Sequence, residues 1–198
     1  MYPEKETVHT IIIEKSKFIC YLKHVTSEEE FKEYLASIRK KHYDATHVCS
    51  CFICHDLYRS NDDGEPSGTA GKPMLNVLSK NQLDETCALV VRYFGGIKLG
   101  AGGLIRAYGN AVTDCLKQAV LIEDQIYPKY RLQTNYETGN RMMEYLRKQT
   151  ILLDTLYDTQ MTFVFALDEE NKLEKIKEYT KGVLPQRIGE ECIKKVVK

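Results

Sequence analysis

No apolar run in the chain approaches the ~18 residues that a membrane-spanning helix requires. Net charge is missing too. The 28 Lys and Arg balance 28 Asp and Glu, so no global field draws the molecule to nucleic acid, and any polyanion site has to be local. The N-terminus, MYPEKETVHT, mixes acids with Lys5 and leads into no signal-type apolar stretch. That pattern argues against secretion and predicts a cytoplasmic protein without membrane association. In such a chain the seven cysteines, an odd number, read as reduced thiols and not as a disulfide framework.

What is present fits a soluble chain of two domains, each able to bury a core within 198 residues. Residues 8–25 read as two strands around Glu14 to Ser16. Ser27 and Glu30 form a capping box ahead of the stripe Phe31, Tyr34, Leu35 and Ile38. Residues 46–58 return to strand chemistry, 61–73 form a loop, Pro73 opens a short helix, and 86–94 make a buried strand. Leu104, Tyr108, Ala111, Val112, Cys115 and Ala119 then trace one face of a longer helix. The pattern lapses between Ile122 and Pro128, which places a domain boundary near Glu123 and predicts domains 1–123 and 124–198. Beyond it the chain reads βαββαβ, with Asp168 capping the last helix, the order of a ferredoxin-like domain.

Nine of the 12 glycines lie between Gly64 and Gly109, five of them in the nine positions from Gly95 to Gly103. A strand that ends in glycines opening a helix is a natural anion site, because free amides and the positive end of the helix dipole converge there. Between Pro66 and Thr113 the only acids are Asp84 and Glu85, against Lys72, Lys80, Arg92, Lys98 and Arg106. The anion-binding candidates are therefore Lys72, Arg92, Gly95, Gly96, Lys98, Gly100, Gly102, Gly103 and Arg106. GIKLGAGG fits neither a P-loop nor G-x-G-x-x-G, so no nucleotide cofactor is expected. The competing reading is that these glycines serve only positive φ and close packing of helix on strand.

Asp62, Asp63, Glu65, Ser67 and Thr69 carry the chemistry of the preceding loop. Three carboxylates could hold a cation and a hydroxyl could act as a nucleophile, but calcium-loop spacing and a G-x-S-x-G turn are both missing. The acids more economically pair with the basic glycine segment or fix the loop through Asx-type hydrogen bonds. His47, Cys49, Cys51, Cys54 and His55 are the candidates for a soft metal. Strand geometry puts Cys49 and Cys51 on one face and Cys54 on the other, so no metal is expected.

DDGEPSGTAGKPMLNVL followed by VVRYFGGIKLGAGGLIRAYGNA resembles the signature of the IMPACT family, also called the YigZ family, over about residues 1–123. The remainder is similar to the C-terminal domain of bacterial members. The resemblance implies an α+β protein. Its first domain would share the fold of a ribosomal protein and of the fourth domain of the translocating elongation factor; its second would be ferredoxin-like, similar to that factor's fifth domain. Eukaryotic members regulate translation under starvation by competing for the activator of a stress kinase. The resemblance supplies no catalytic residues and points to binding rather than catalysis. The expected partner is RNA, the ribosome or a translation-related protein, met at the glycine-rich basic turn. The alternatives are a protein-binding regulator that uses the 61–73 loop and an enzyme acting on a small anionic substrate.

Overall fold

The computed structural model describes residues 1–197. It shows a mixed α/β chain with two sheets and five helices among those residues. The described residues divide into two compact units: residues 1–123 together with Val196 and Val197, and residues 124–195.

The first unit is built on an antiparallel sheet in the order β2-β3-β6-β4-β5. The short β1 (Tyr2–Pro3) pairs instead with the start of β7. β2 (Thr7–Ile13) and β3 (Ser16–His24) are joined by Glu14 and Lys15, which both take positive φ, 45° and 64°. α1 (Glu28–Lys41) begins where expected, with Ser27 Oγ accepting from the Glu30 amide at 3.1 Å. The Glu30 carboxylate reaches back one residue farther than in a standard capping box, to the Thr26 amide at 2.9 Å.

β4 (His47–Cys54) and β5 (Leu57–Asn61) form a hairpin where one strand region was expected. His55 makes the turn possible at φ 52°, without a glycine or proline to announce it. α2 starts at Gly71, two residues before Pro73, and runs to Lys80. β6 (Thr86–Tyr93) is buried on both sides, and α3 (Gly100–Gln118) follows the glycine turn.

Alternation along these strands fills two cores. Phe18, Cys20, Ala88 and Val90 pack against α2 and α3, whereas Ile19, Tyr21, Leu89 and Val91 pack against α1. Cys49 and Cys51 fall in the first core and Cys54 in the second, as strand geometry requires.

In the second unit, β7 (Leu121–Thr134), α4 (Tyr136–Gln149), β8 (Ile151–Tyr157), β9 (Met161–Ala166), α5 (Lys172–Tyr179) and β10 (Gln186–Val196) give a sheet in the order β10-β7-β9-β8. Its core joins Leu132, Met142, Leu146, Phe163, Phe165 and Ile176. Two expectations are corrected here. β7 runs unbroken through 122–128, where the sequence loses its pattern; Leu121 and Ile122 pair with β1 and Lys129 to Thr134 with β9. Asp168 does not cap α5. The N-cap is Asn171, and Asp168 Oδ1 instead accepts from Lys172 Nζ at 2.6 Å.

Candidate functional site

The acidic loop and the glycine turn meet above the ends of β4 and β6, and each acid of the loop has a distinct structural partner. Asp62 sits at the N-terminus of α2, whose N-cap, Ala70, offers no side-chain hydrogen bond. Its Oδ1 accepts from the amides of Ala70 (2.9 Å) and Gly71 (2.8 Å), and its Oδ2 from that of Gly68 (2.8 Å). Partial burial pushes its pKa up, but these three amides together outweigh that and hold it below the usual 3.8.

Asp63 accepts from Arg39 Nη2 and from the Val48 amide, both at 2.6 Å, and its carbonyl lies 2.7 Å from His47 Nδ1. Thr69 is buried, with its hydroxyl donating to the Pro66 carbonyl at 2.6 Å, while Ser67 is exposed. Among the described residues, neither hydroxyl has a hydrogen bond to a His, Asp or Glu side chain.

Glu65 is the buried hub. Its Oε1 accepts from Arg92 Nη1 at 2.5 Å and from the Tyr108 hydroxyl at 2.7 Å, and its Oε2 lies 3.9 Å from His47 Nε2. Cys49 Sγ lies 3.3 Å from the Tyr108 oxygen; burial pushes this thiol up to about 12. Arg92 is therefore not the solvent-facing phosphate clamp that its place before the glycines suggests. It is 5% exposed, its charge is compensated by Glu65, and its Nη2 makes one long contact of 3.5 Å to Ser16 Oγ. Tyr108 was legible only as a core residue. A hydroxyl on an otherwise apolar helical stripe was the available signal, since a buried phenol needs a partner.

The glycine turn divides into two parts. Gly95 is a packing residue: its amide donates to Ser16 Oγ at 3.1 Å, and a Cβ there would stand 2.0 Å from the Lys15 carbonyl carbon. Gly100, at φ 69°, opens α3. Gly96, Gly100, Ala101 and Gly102 are exposed and Gly103 is half-buried. The preceding residue, Leu99, caps nothing with its side chain, and the first turn holds no acid. The first amides of a 19-residue helix thus have no intrahelical acceptor and lie at the positive end of its dipole.

Two cavities flank this turn, with Lys98 and Leu99 common to both. One, of about 370 Å³, includes Glu65, Arg92, Phe94, Lys98, Gly100 and Ala101 in its lining. The other, of about 490 Å³, includes Glu14, Lys98, Gly103, Arg106 and Asn110. Lys98 and Arg106 are exposed and have no carboxylate partner among the described residues. Lys72 is exposed on α2 and lines neither cavity. No group of three or more His, Cys, Asp or Glu able to hold a metal ion occurs among the described residues, and no helix there is long and apolar enough to cross a membrane.

The Impact N-terminal domain model matches residues 14–116, which hold the acidic loop, β6 and most of α3. The IMPACT family member YvyE of Bacillus subtilis (strain 168) is 44% identical over 166 residues, covering 82% of this chain and 76% of that protein. YigZ of Escherichia coli (strain K12), another IMPACT family member, is 43% identical over 129 residues, 63% of each chain. A crystal structure described as that of a hypothetical protein matches with a TM-score of 0.59 at 30% identity, over 100% of this chain and 96% of that one. The loop whose acids cap α2 and anchor Arg92, and the glycine turn beside it, both fall inside the matched domain, and the chain belongs to the IMPACT family.

Proposed function

We propose that this protein is a non-enzymatic, translation-associated regulator that binds RNA through the N-terminus of α3. The observation that carries the reading is the pair Lys98 and Arg106. Both are exposed, both lack a carboxylate partner among the described residues, and both line one cavity at the open end of a 19-residue helix. Arg106 offers a planar fork to phosphate oxygens, Lys98 a mobile point charge, and the first amides of α3 the remaining donors. Asp62, Asp63 and Glu65 do not oppose this role, because they are already engaged by amides or cations, and Glu14 is the one carboxylate in the lining that Lys98 and Arg106 share.

Family membership supports the translation setting, since the resemblance implies translational control in eukaryotic members. The order β10-β7-β9-β8 with two helices supports the ferredoxin-like reading of the second unit. Fold analogy of this kind bears on the partner only by association.

The test is binding of single-stranded RNA across a salt series by wild type and by Lys98→Ala/Arg106→Ala. Losing two phosphate contacts reduces the slope of log K against log salt by about 1.4, at about 0.7 per contact on a single strand. An unchanged slope removes this site. Capture of a partner that survives both nuclease and high salt transfers the role to protein binding.

A further inference from the structure

The cavity beneath Phe94 carries a feature that an RNA-backbone site does not need. Arg92 lines it, is 5% exposed, and its Nε has no hydrogen-bond partner among the described residues. A buried guanidinium carries five N–H donors, yet Arg92 makes one short bond, to Glu65, and one long one, to Ser16. Leaving such donors unmet is costly, so a native structure normally supplies acceptors. The same cavity is lined by Lys98 and by Gly100 and Ala101, from the uncapped first turn of α3. Its one acid, Glu65, is already held by Arg92 and Tyr108. The remaining wall combines Thr46 and His47 with the apolar Pro66, Phe94, Leu99 and Leu104. Phe94 is 46% exposed, with the Arg92 guanidinium 5.5 Å from its ring centre.

We infer that this cavity binds a phosphate monoester on a flat organic body, in the form of a single nucleotide, either free or at the end of an RNA strand. The monoester's extra negative charge matches Lys98 and the α3 amides, and the base stacks on Phe94. About 370 Å³ is space for one such group. An internal phosphodiester carries less charge and has chain on both sides, so it has no comparable fit. The inference deepens the RNA proposal, and rests on its reading that α3 receives phosphate at its N-terminus.

The experiment measures binding of uridine, uridine 5′-monophosphate, and hexauridylate with a 5′-phosphate, a 3′-phosphate or neither, to wild type, Ala101→Glu, Lys98→Ala and Lys98→Arg. Ala101→Glu puts a carboxylate on the same amides while favouring the helix, so loss of binding there is not loss of fold. The expected result is at least tenfold tighter binding of a phosphorylated end than of the hydroxyl form. Uridine monophosphate competes, Ala101→Glu abolishes the preference, Lys98→Ala weakens it and Lys98→Arg retains it. Binding of the monophosphate with none of the three hexamers bound supports a free ligand and overturns the RNA proposal. Equal binding of all hexamers without competition by the monophosphate overturns the inference and leaves the RNA proposal standing. A phosphate preference undiminished in Ala101→Glu also overturns the inference, and no binding by any probe overturns both.

Discussion

Glu65 Oε1 and Arg92 Nη1 meet at 2.5 Å where both side chains are more than nine-tenths buried, tying the acidic loop to the end of β6 directly beside the glycine turn. Two residues that the sequence separates by 27 positions thus form one ion pair, and Tyr108 of α3 donates to the same carboxylate oxygen. Loop, strand and helix converge on one atom. Both cavities lie around the turn that this pair supports.

Removing one member of that pair leaves an uncompensated charge in the core. Glu65→Ala is expected to destabilise the first unit by about 3–5 kcal/mol, and Arg92→Ala by a similar amount. The double variant should cost much less than the sum. Urea denaturation followed at the first unit, arranged as a double-mutant cycle, checks this; additive losses would show that the pair is not coupled.

Two glycines seven positions apart should respond with opposite signs. At Gly95 a methyl group would meet the Lys15 backbone at 2.0 Å and the Ser16 nitrogen at 2.3 Å, and neither can yield without moving the β2–β3 turn. Gly95→Ala is expected to cost more than about 2 kcal/mol, in the range of overpacked sites. At Gly102 a Cβ meets nothing within 4 Å, and the residue is helical. Gly102→Ala is expected to stabilise by about 0.5–1 kcal/mol. Thermal melts of the two variants decide the matter.

The order of elements was readable because the two periodicities are strong: α1 buries Phe31, Tyr34 and Ile38, and α3 buries Leu104, Tyr108, Ala111 and Val112, at helical spacing. What escaped the sequence depended on long-range partners or on unusual backbone. His55 turns a hairpin in a conformation that its residue type does not advertise. Between Glu123 and Pro128 no residue of β7 is buried, so no alternating apolar pattern marks that stretch as strand. In the candidate site, local charge identified Lys98 and Arg106 as exposed cations. The loop acids pair with the basic segment and fix the loop, as their chemistry suggested, through Glu65 on Arg92 and Asp62 on the amides of α2; local charge left open only which cation turns inward.

The thiols should separate by accessibility. Six of the seven cysteines are buried and Cys192, on β10, is exposed. Burial also pushes the thiols of Cys20, Cys49, Cys51, Cys54 and Cys87 up, leaving less of the reactive thiolate. Cys115 differs: a hydrogen bond with Cys20 lowers it, outweighing desolvation, but it is fully enclosed. A disulfide reagent is expected to modify Cys192 rapidly in the native protein and all seven cysteines after denaturation. Mass mapping of the labelled peptides checks this, and rapid native labelling of Cys49 or Cys115 would contradict the burial described.

Asp62 should give stability a measurable acid limb. Desolvation raises its pKa, the amides of Gly68, Gly71 and Ala70 lower it by more, and the folded value lies below the ordinary 3.8. A depressed folded pKa means that the unfolded chain binds the proton more readily. The stabilisation is therefore complete above the unfolded value and is lost as pH falls from about 4 through the folded value. Asp62→Asn cannot reproduce the arrangement. Both carboxylate oxygens accept from amides, so an amide group must turn its NH2 toward a donor at one of the two places. The variant is expected to be less stable by about 1–2 kcal/mol at neutral pH, the scale of a lost helix cap. Its deficit should shrink as pH drops below about 4, because wild type is by then losing the same charge. Urea midpoints at pH 7, 5, 4 and 3 measure the difference. A deficit that stays constant over that range would mean that the Asp62 charge is not what holds the start of α2.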